Sequence, residues 1–156
     1  MLTTPWGEAL DEAHILPEYP RPQLRRDSYL NLNGRWEYAV TEDDAPPQTY
    51  DGSILVPFSP ESALSGVGRA LKPGQTLWYR RELTLPDGFL PQGWRLLLHF
   101  GAVDQEATVL FNGMEAGRHM GGYNAFAVEL TALLQETNTL VVRVHDDTDA
   151  SFHSRG

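Results

Sequence analysis

Cysteine is absent from the 156 residues, and the chain has no long apolar run and little positive charge. The lack of cysteine excludes disulfides, a thiol nucleophile and a zinc–thiolate site. No apolar stretch approaches the roughly 18 residues that a membrane helix needs. Lys and Arg number 12 against 21 Asp and Glu, for a formal net charge of −9. That balance disfavours nucleic acid and anionic membranes as partners.

Signal-peptide features and catalytic signatures are also missing. The N-terminus, MLTTPWGEALDEAH, has neither a basic start nor an apolar core, so we expect a cytoplasmic protein or a fragment expressed without its leader. There is no GxSxG, HExxH or Walker sequence, and Gly66-Val67-Gly68 lacks the third glycine of a dinucleotide-binding loop. We therefore expect no cofactor.

Short runs of period-two hydrophobicity are what the chain does contain. Ala107, Val109 and Phe111 alternate with Thr108 and Leu110, which predicts a half-buried or fully buried strand. Asn112-Gly113 then predicts a type I′ hairpin turn, with Glu115–Met120 as the returning strand. Within Leu30–Val40 an Asn33-Gly34 turn is predicted, followed by a strand that holds Trp36 and Tyr38. Other strands are predicted at Ser53–Val56, Leu77–Leu85, Trp94–Phe100, Phe126–Leu130 and Thr139–His145. Evenly spaced strands without a long helix predict an all-β fold, an antiparallel β-sandwich.

The first residues differ in composition from the rest. Residues 1–27 contain four prolines, which disfavour regular strand pairing, and predict an extended arm on the surface. Residues 28–156 form the predicted sandwich. The expected anchors of the arm are its larger apolar side chains, Trp6, Ile15, Leu16 and Tyr19.

Several stretches resemble glycoside hydrolase family 2, in the order that the family has them. They are TPWGEAL, YPRPQLRRD, LNLNGRWEY, ILVPFSPES, LWYRREL, FGAVDQEATVLFNG and GRHMGGYNAF. The family includes β-galactosidases, β-glucuronidases and β-mannosidases, and the resemblance, to its N-terminal sugar-binding domain, covers nearly the whole chain. It implies a jelly-roll sandwich of the galactose-binding-domain type. It also implies a non-catalytic domain that binds sugar and supports a downstream catalytic barrel.

The resemblance has further consequences for the site and the partners. Glycoside hydrolysis needs two positioned carboxylates, and in the family both belong to the barrel, so no catalytic residue is expected here. The partner would be a carbohydrate, a β-glycoside, bound together with the barrel. The sandwich would lack its last strand. Its open sheet edge would then favour a homodimer.

The polar tail from His145 to His153 permits three interpretations. Asp and His are competent metal ligands, but the segment lacks the glycine and the final glutamate of an EF-hand loop, and we predict no metal. The tail also suits a solvated loop after a strand. By resemblance to the family, an aspartate just past this strand reaches the sugar pocket; Asp147 aligns with it, and the adjacent Asp146 is the alternative. A carboxylate suits that role because it accepts hydrogen bonds from sugar hydroxyls.

Other polar and aromatic residues have a structural interpretation beside a functional one. Tryptophan in a small sandwich usually packs in the core, and we expect this for Trp36 and Trp78. Trp94 begins its predicted strand, and its packing is left open. The alternative for all three is a platform on which sugar rings stack. His119 and Tyr123 flank the glycine pair and are expected to pack at this turn, with contact to a ligand as the alternative. The polar segment at the start of a predicted strand, Asp104–Glu106, is expected to form a hydrogen-bonded corner or an inter-domain contact. Direct contact with sugar is the alternative. One of Arg80 and Arg81 is expected to pair with Glu106 or Glu129.

Two other functions compete with the family assignment. An autonomous carbohydrate-binding module would show a row of exposed aromatics on one sheet face, and buried tryptophans would exclude it. A structural or oligomerisation domain would show a large exposed apolar patch.

Overall fold

The structure, a computed structural model, describes residues 4–147. The chain divides into two compact units. The first comprises Met1–Trp36 with Ser53–Ala70, and the second comprises Glu37–Gly52 with Leu71–Gly156. The predicted boundary between residues 27 and 28 stays a prediction, and most of the predicted polar tail, residues 148–153, lies outside the described residues.

Within residues 4–147, eight strands make up most of the regular structure. They are β1 (Gly34–Thr41), β2 (Gly52–Val56), β3 (Thr76–Leu83), β4 (Leu97–Phe100), β5 (Glu106–Phe111), β6 (Met114–Met120), β7 (Phe126–Glu129) and β8 (Asn138–His145). The helical segments have three or four residues each: Pro5–Glu8, Pro22–Leu24, Ala63–Ser65 and Thr131–Leu133. None of the helices within residues 4–147 is long and apolar enough to cross a membrane.

The strands form a six-stranded sheet in the order β2-β1-β3-β8-β5-β6 and a two-stranded sheet of β4 and β7. The pairs β1–β3, β3–β8, β8–β5, β5–β6 and β4–β7 are all antiparallel. Burial alternates along β8 as period two requires, and its buried apolar residues are Leu140, Val142 and Val144. The predicted all-β antiparallel sandwich is confirmed.

The β5–β6 hairpin forms where the Asn-Gly pair predicts it. Asn112 and Gly113 have φ angles of 53° and 78°, the positive values that both central residues of a type I′ turn require. The Asn112 side chain also donates a hydrogen bond of 2.8 Å to the carbonyl of Leu133. The turn is therefore fixed both by its backbone and by a contact remote in sequence.

A glycine allows the two sheets to approach each other within the second unit. A β-carbon at Gly117 on β6 would lie only 2.6 Å from Cγ1 of Val128 on β7. Val128 is buried, with 7% of its surface exposed. The absence of a side chain at Gly117 is thus a packing requirement at the sheet-to-sheet contact.

The first unit fixes the N-terminal segment through one apolar anchor. Ile15 is only 3% exposed, and the side-chain amides of Asn31 and Asn33 donate hydrogen bonds to the carbonyls of Leu16 and Ile15, at 2.9 and 3.3 Å. Trp6 and Leu16, two of the expected anchors, are instead 82% and 55% exposed, so the prediction was wrong for them. Buried contacts at Ile15 together with polar contacts to the backbone hold this segment.

Candidate carbohydrate-binding site

Four neighbouring strands meet at one end of the larger sheet. Because β1 and β8 run antiparallel to β3 and β5, two strands end where the other two begin. The cross-strand register places Thr41 opposite Thr76, Thr76 opposite His145, and His145 opposite Glu106. The loop after β1, the loop before β3 and the residues after β8 therefore share this edge, which we call the polar end of the sheet.

Asp147, the residue predicted to contact sugar, lies at the polar end. One carboxylate oxygen accepts a hydrogen bond of 3.2 Å from the backbone N–H of Gly74, and the other lies 3.3 Å from Nε2 of His145. The side chain is half exposed. Asp146 precedes it with intermediate exposure. Asp147 thus presents a positioned carboxylate with surface open to solvent.

Further polar contacts lie at the polar end of the sheet. The Thr76 hydroxyl donates a hydrogen bond of 3.0 Å to one oxygen of Asp44, whose other oxygen lies 3.2 Å from Nη1 of Arg143. Gln75 is only 2% exposed. Its side-chain amide donates a hydrogen bond of 2.7 Å to a carboxylate oxygen of Glu42, and its side-chain carbonyl accepts one of 2.9 Å from the backbone N–H of Lys72. The acidic loop after β1 is therefore tied to the strand start beside Asp147.

Two buried nitrogens at the polar end have no hydrogen-bond partner within residues 4–147. They are Nε of Arg143 and Nδ1 of His145. A buried polar nitrogen without a partner is costly, so such groups are usually satisfied by an ordered water or a ligand. Together with the half-exposed Asp147 they give this edge both donors and acceptors, the combination that recognises hydroxyl groups.

The Asp104–Glu106 segment borders the same edge and forms a hydrogen-bonded corner. The Gln105 N–H donates to the carbonyl of His145 at 3.3 Å, and its carbonyl accepts from the Gly121 N–H at 2.8 Å. A β-carbon at Gly122 would lie 2.2 Å from a carboxylate oxygen of Asp104, so only glycine leaves room for that side chain. The corner interpretation is confirmed, and a sugar contact by these residues stays a prediction.

The strand tryptophans belong to the interior. Trp36 and Trp78 are 7% and 2% exposed, and each indole N–H has an acceptor, the Leu32 carbonyl at 2.8 Å and the Thr41 hydroxyl at 2.9 Å. The core prediction is confirmed for both. Neither ring can stack on a sugar.

Trp94 was expected to begin a strand, and this prediction was wrong. It lies on a turn, where its N–H donates to the Pro91 carbonyl, and is 59% exposed; β4 begins only at Leu97. His119 packs at its turn, with its ring stacked on Phe126 at 4.1 Å between centroids and its Nε2 3.1 Å from the Gly121 carbonyl. Tyr123 is instead 61% exposed.

Arg80 forms a salt bridge, as predicted for one of the two arginines, but its partner is neither Glu106 nor Glu129. Arg80 pairs with Glu37 at 2.7 Å and lies 4.7 Å above the ring centroid of Tyr50. Glu129 pairs with Arg95, whose hydrogen bond lowers the pKa of this carboxyl. Burial lowers the pKa of Arg81. Pairing with Glu37 follows from the β1–β3 register, which places the two residues opposite each other.

The described residues contain no group of three His, Asp or Glu side chains placed to hold a metal ion. Sequence reasoning had not singled out Glu42, Asp44, Gln75 or Arg143. The signal that could have found them is the acidic run after β1, which local patterns assign to a loop without showing what it contacts.

Comparison with known proteins points in one direction. No protein-family model matches the chain. A β-glucuronidase from Formosa agariphila is 33% identical over 79 residues, which is 49% of this chain and 8% of that protein. A β-glucuronidase from Bacteroides fragilis is 40% identical over 57 residues, or 35% of this chain and 8% of that protein. The relatives are β-glucuronidases.

Solved structures agree with the curated relatives. The β-glucuronidase of Faecalibacterium prausnitzii matches with a TM-score of 0.60 and 32% identity, covering 74% of this chain and 20% of that one. That of Lactobacillus rhamnosus matches with a TM-score of 0.62 and 28% identity over 74% of this chain and 20% of that one. The chain thus spans less than a tenth of the curated relatives it matches and about a fifth of the structures.

Proposed function

We propose that this chain is a non-catalytic sugar-binding and support domain of a glycoside hydrolase family 2 β-glycosidase, with the jelly-roll fold of that family. The observation that carries the proposal is its likeness, in sequence and in fold, to a fifth or less of the length of several β-glucuronidases. The ordered motifs that resemble the family support the same assignment. The carbohydrate would be bound jointly with a catalytic barrel, which supplies both catalytic carboxylates.

Within this proposal, Asp147 supplies a polar contact to the sugar, and Asp146 is the alternative. In support, the Asp147 carboxylate is half exposed and is held by Gly74 and His145. A carboxylate fixed in this way can accept hydrogen bonds from neighbouring hydroxyls at little further loss of side-chain entropy.

The test compares two Asp→Asn variants in the enzyme that contains this chain. Hydrogen bonds to a charged group contribute about 1.5–3 kcal/mol, so Asp147→Asn should lower kcat/KM for a nitrophenyl β-glucuronide by at least roughly tenfold. Asp87→Asn, an exposed position in the turn after β3, is the matched control and should leave kcat/KM unchanged. If Asp147→Asn leaves kcat/KM unchanged, as the control does, Asp147 is only a loop residue. Asp146→Asn is then compared with the control in the same way.

A homodimer through an open sheet edge belongs to the same proposal. β6 is an outer strand of the larger sheet, and Met114 and Met120, at its two ends, are 59% and 71% exposed. Edge strands with free N–H and C=O groups tend to pair, and a two-fold pairing is the commonest arrangement. The autonomous-module alternative lacks support, since Trp36 and Trp78 are buried.

A further inference from the structure

The first unit contains a cavity that lies apart in sequence from every residue of the polar end. It has a volume of about 240 Å³ and is lined by two short segments, Pro17–Tyr19 and Arg25–Asp27, together with Tyr29. That volume lies below the roughly 300–1,000 Å³ of pockets for drug-sized ligands. A ligand the size of one sugar ring is the appropriate scale.

Local structure explains why the two segments face each other. The single helical turn Pro22–Leu24, closed by the Leu24 N–H on the Arg21 carbonyl, reverses the chain between them. The rings of Tyr19 and Tyr29 meet edge to face, with 4.7 Å between centroids. Burial, followed by the proximity of Tyr19, raises the pKa of Tyr29. Both rings of this aromatic contact line the cavity.

The charges on the cavity lining are the informative feature. Arg25 and Arg26 form no salt bridge with any described residue, although Glu18 and Asp27 line the same cavity. Arginine recognises a carboxylate through parallel N–H donors, and carboxylates accept hydrogen bonds from hydroxyls. A ligand that carries one carboxylate beside several hydroxyls would satisfy both groups of side chains.

Other ligand classes fit the lining less well. A neutral sugar would leave both guanidinium groups without a carboxylate. A polyphosphate or nucleic acid would meet Glu18 and Asp27 and the chain's net charge of −9. The apolar face of a sugar ring, by contrast, packs well on a tyrosine ring.

We propose that this cavity is an accessory site for a hexuronic acid, with the carboxylate on Arg25 and Arg26, the hydroxyls toward Glu18 and Asp27, and the ring against Tyr19 and Tyr29. The choice of a uronic acid over other hydroxy acids rests on the proposed function as part of a β-glucuronidase-like enzyme. The proposed site is built from residues of this chain alone.

The experiment is a titration of the isolated chain at low ionic strength, followed by amide chemical shifts. Glucuronate, glucose and acetate are added in turn. Binding of glucuronate in the millimolar range is expected, with shifts at residues 17–29, and glucose and acetate should bind at least about fivefold more weakly because each offers only part of the contacts. Equal shifts from acetate and glucuronate would overturn the proposal, since they would indicate non-specific anion binding.

Two variants locate the site. Arg25→Gln or Arg26→Gln should weaken glucuronate binding at least about fivefold, whereas Arg69→Gln, an exposed arginine of the same unit outside the cavity, should not. Unchanged binding in both cavity variants would refute the assignment, as would shifts confined to residues 42–44 and 143–147. No hydrolysis is involved, so failure here is distinguishable from failure of the proposed glycosidase role.

Discussion

Gly117→Ala is expected to destabilise the sandwich by overpacking the contact between its sheets. The new β-carbon would lie 2.6 Å from Cγ1 of the buried Val128, a separation that real contacts do not reach, so one strand must move. Overpacking of this kind costs about 1–3 kcal/mol of unfolding free energy. For a chain of this length that corresponds to a fall in Tm of about 3–10 °C.

The assay is thermal unfolding, with two variants that isolate the cause. Gly101→Ala adds the same methyl group where no atom lies within 4 Å, so its Tm should change by no more than about 2 °C. Adding Val128→Ala to Gly117→Ala makes room for the new methyl group, so the pair should couple favourably: the double variant should lose less stability than the two single losses summed. If Gly117→Ala unfolds like Gly101→Ala, the close approach of β6 and β7 is refuted.

Two further predictions concern the core and the assembly. Trp78→Phe should lower the free energy of unfolding, measured by chemical denaturation, by about 1–3 kcal/mol, because it opens a gap and removes the indole hydrogen bond to Thr41. Trp94→Phe, at a 59% exposed residue, should change it by no more than about 0.5 kcal/mol. Equal losses in the two variants would contradict the assigned core. Sedimentation of the isolated chain should show a concentration-dependent dimer, and introducing a charge at the exposed edge residue with Met120→Lys should shift it to monomer; a wild-type monomer at every concentration would contradict pairing through the sheet edge.

Local patterns predicted the strands well because period-two alternation reflects a sheet with a buried face. The Asn112-Gly113 turn followed from backbone preference alone, and the burial of Trp36 and Trp78 from their positions in strands. Trp94 was misassigned because a run of apolar residues does not show where pairing starts. The sequence pattern extends the strand back to Trp94, but β4 pairs with β7 only from Leu97.

The contacts of the polar end could not be predicted, because they depend on strand order and register. Asp44 and Arg143 are 99 positions apart in the chain and meet only because β3 lies between β1 and β8. The partner of Arg80 likewise depends on the β1–β3 register, which places Glu37 opposite it. In the N-terminal segment, composition did not distinguish the buried Ile15 from the exposed Trp6.

Turnover of a nitrophenyl β-glucuronide, by the purified chain and by the longer gene product that the proposal requires, tests the central claim most directly. The chain alone should show no hydrolysis above a mock-purified control, because the proposal assigns both catalytic carboxylates to a separate barrel. The longer protein should hydrolyse the substrate. Hydrolysis by the chain alone, or none by the longer protein with any nitrophenyl β-glycoside, would contradict a non-catalytic domain of a β-glycosidase.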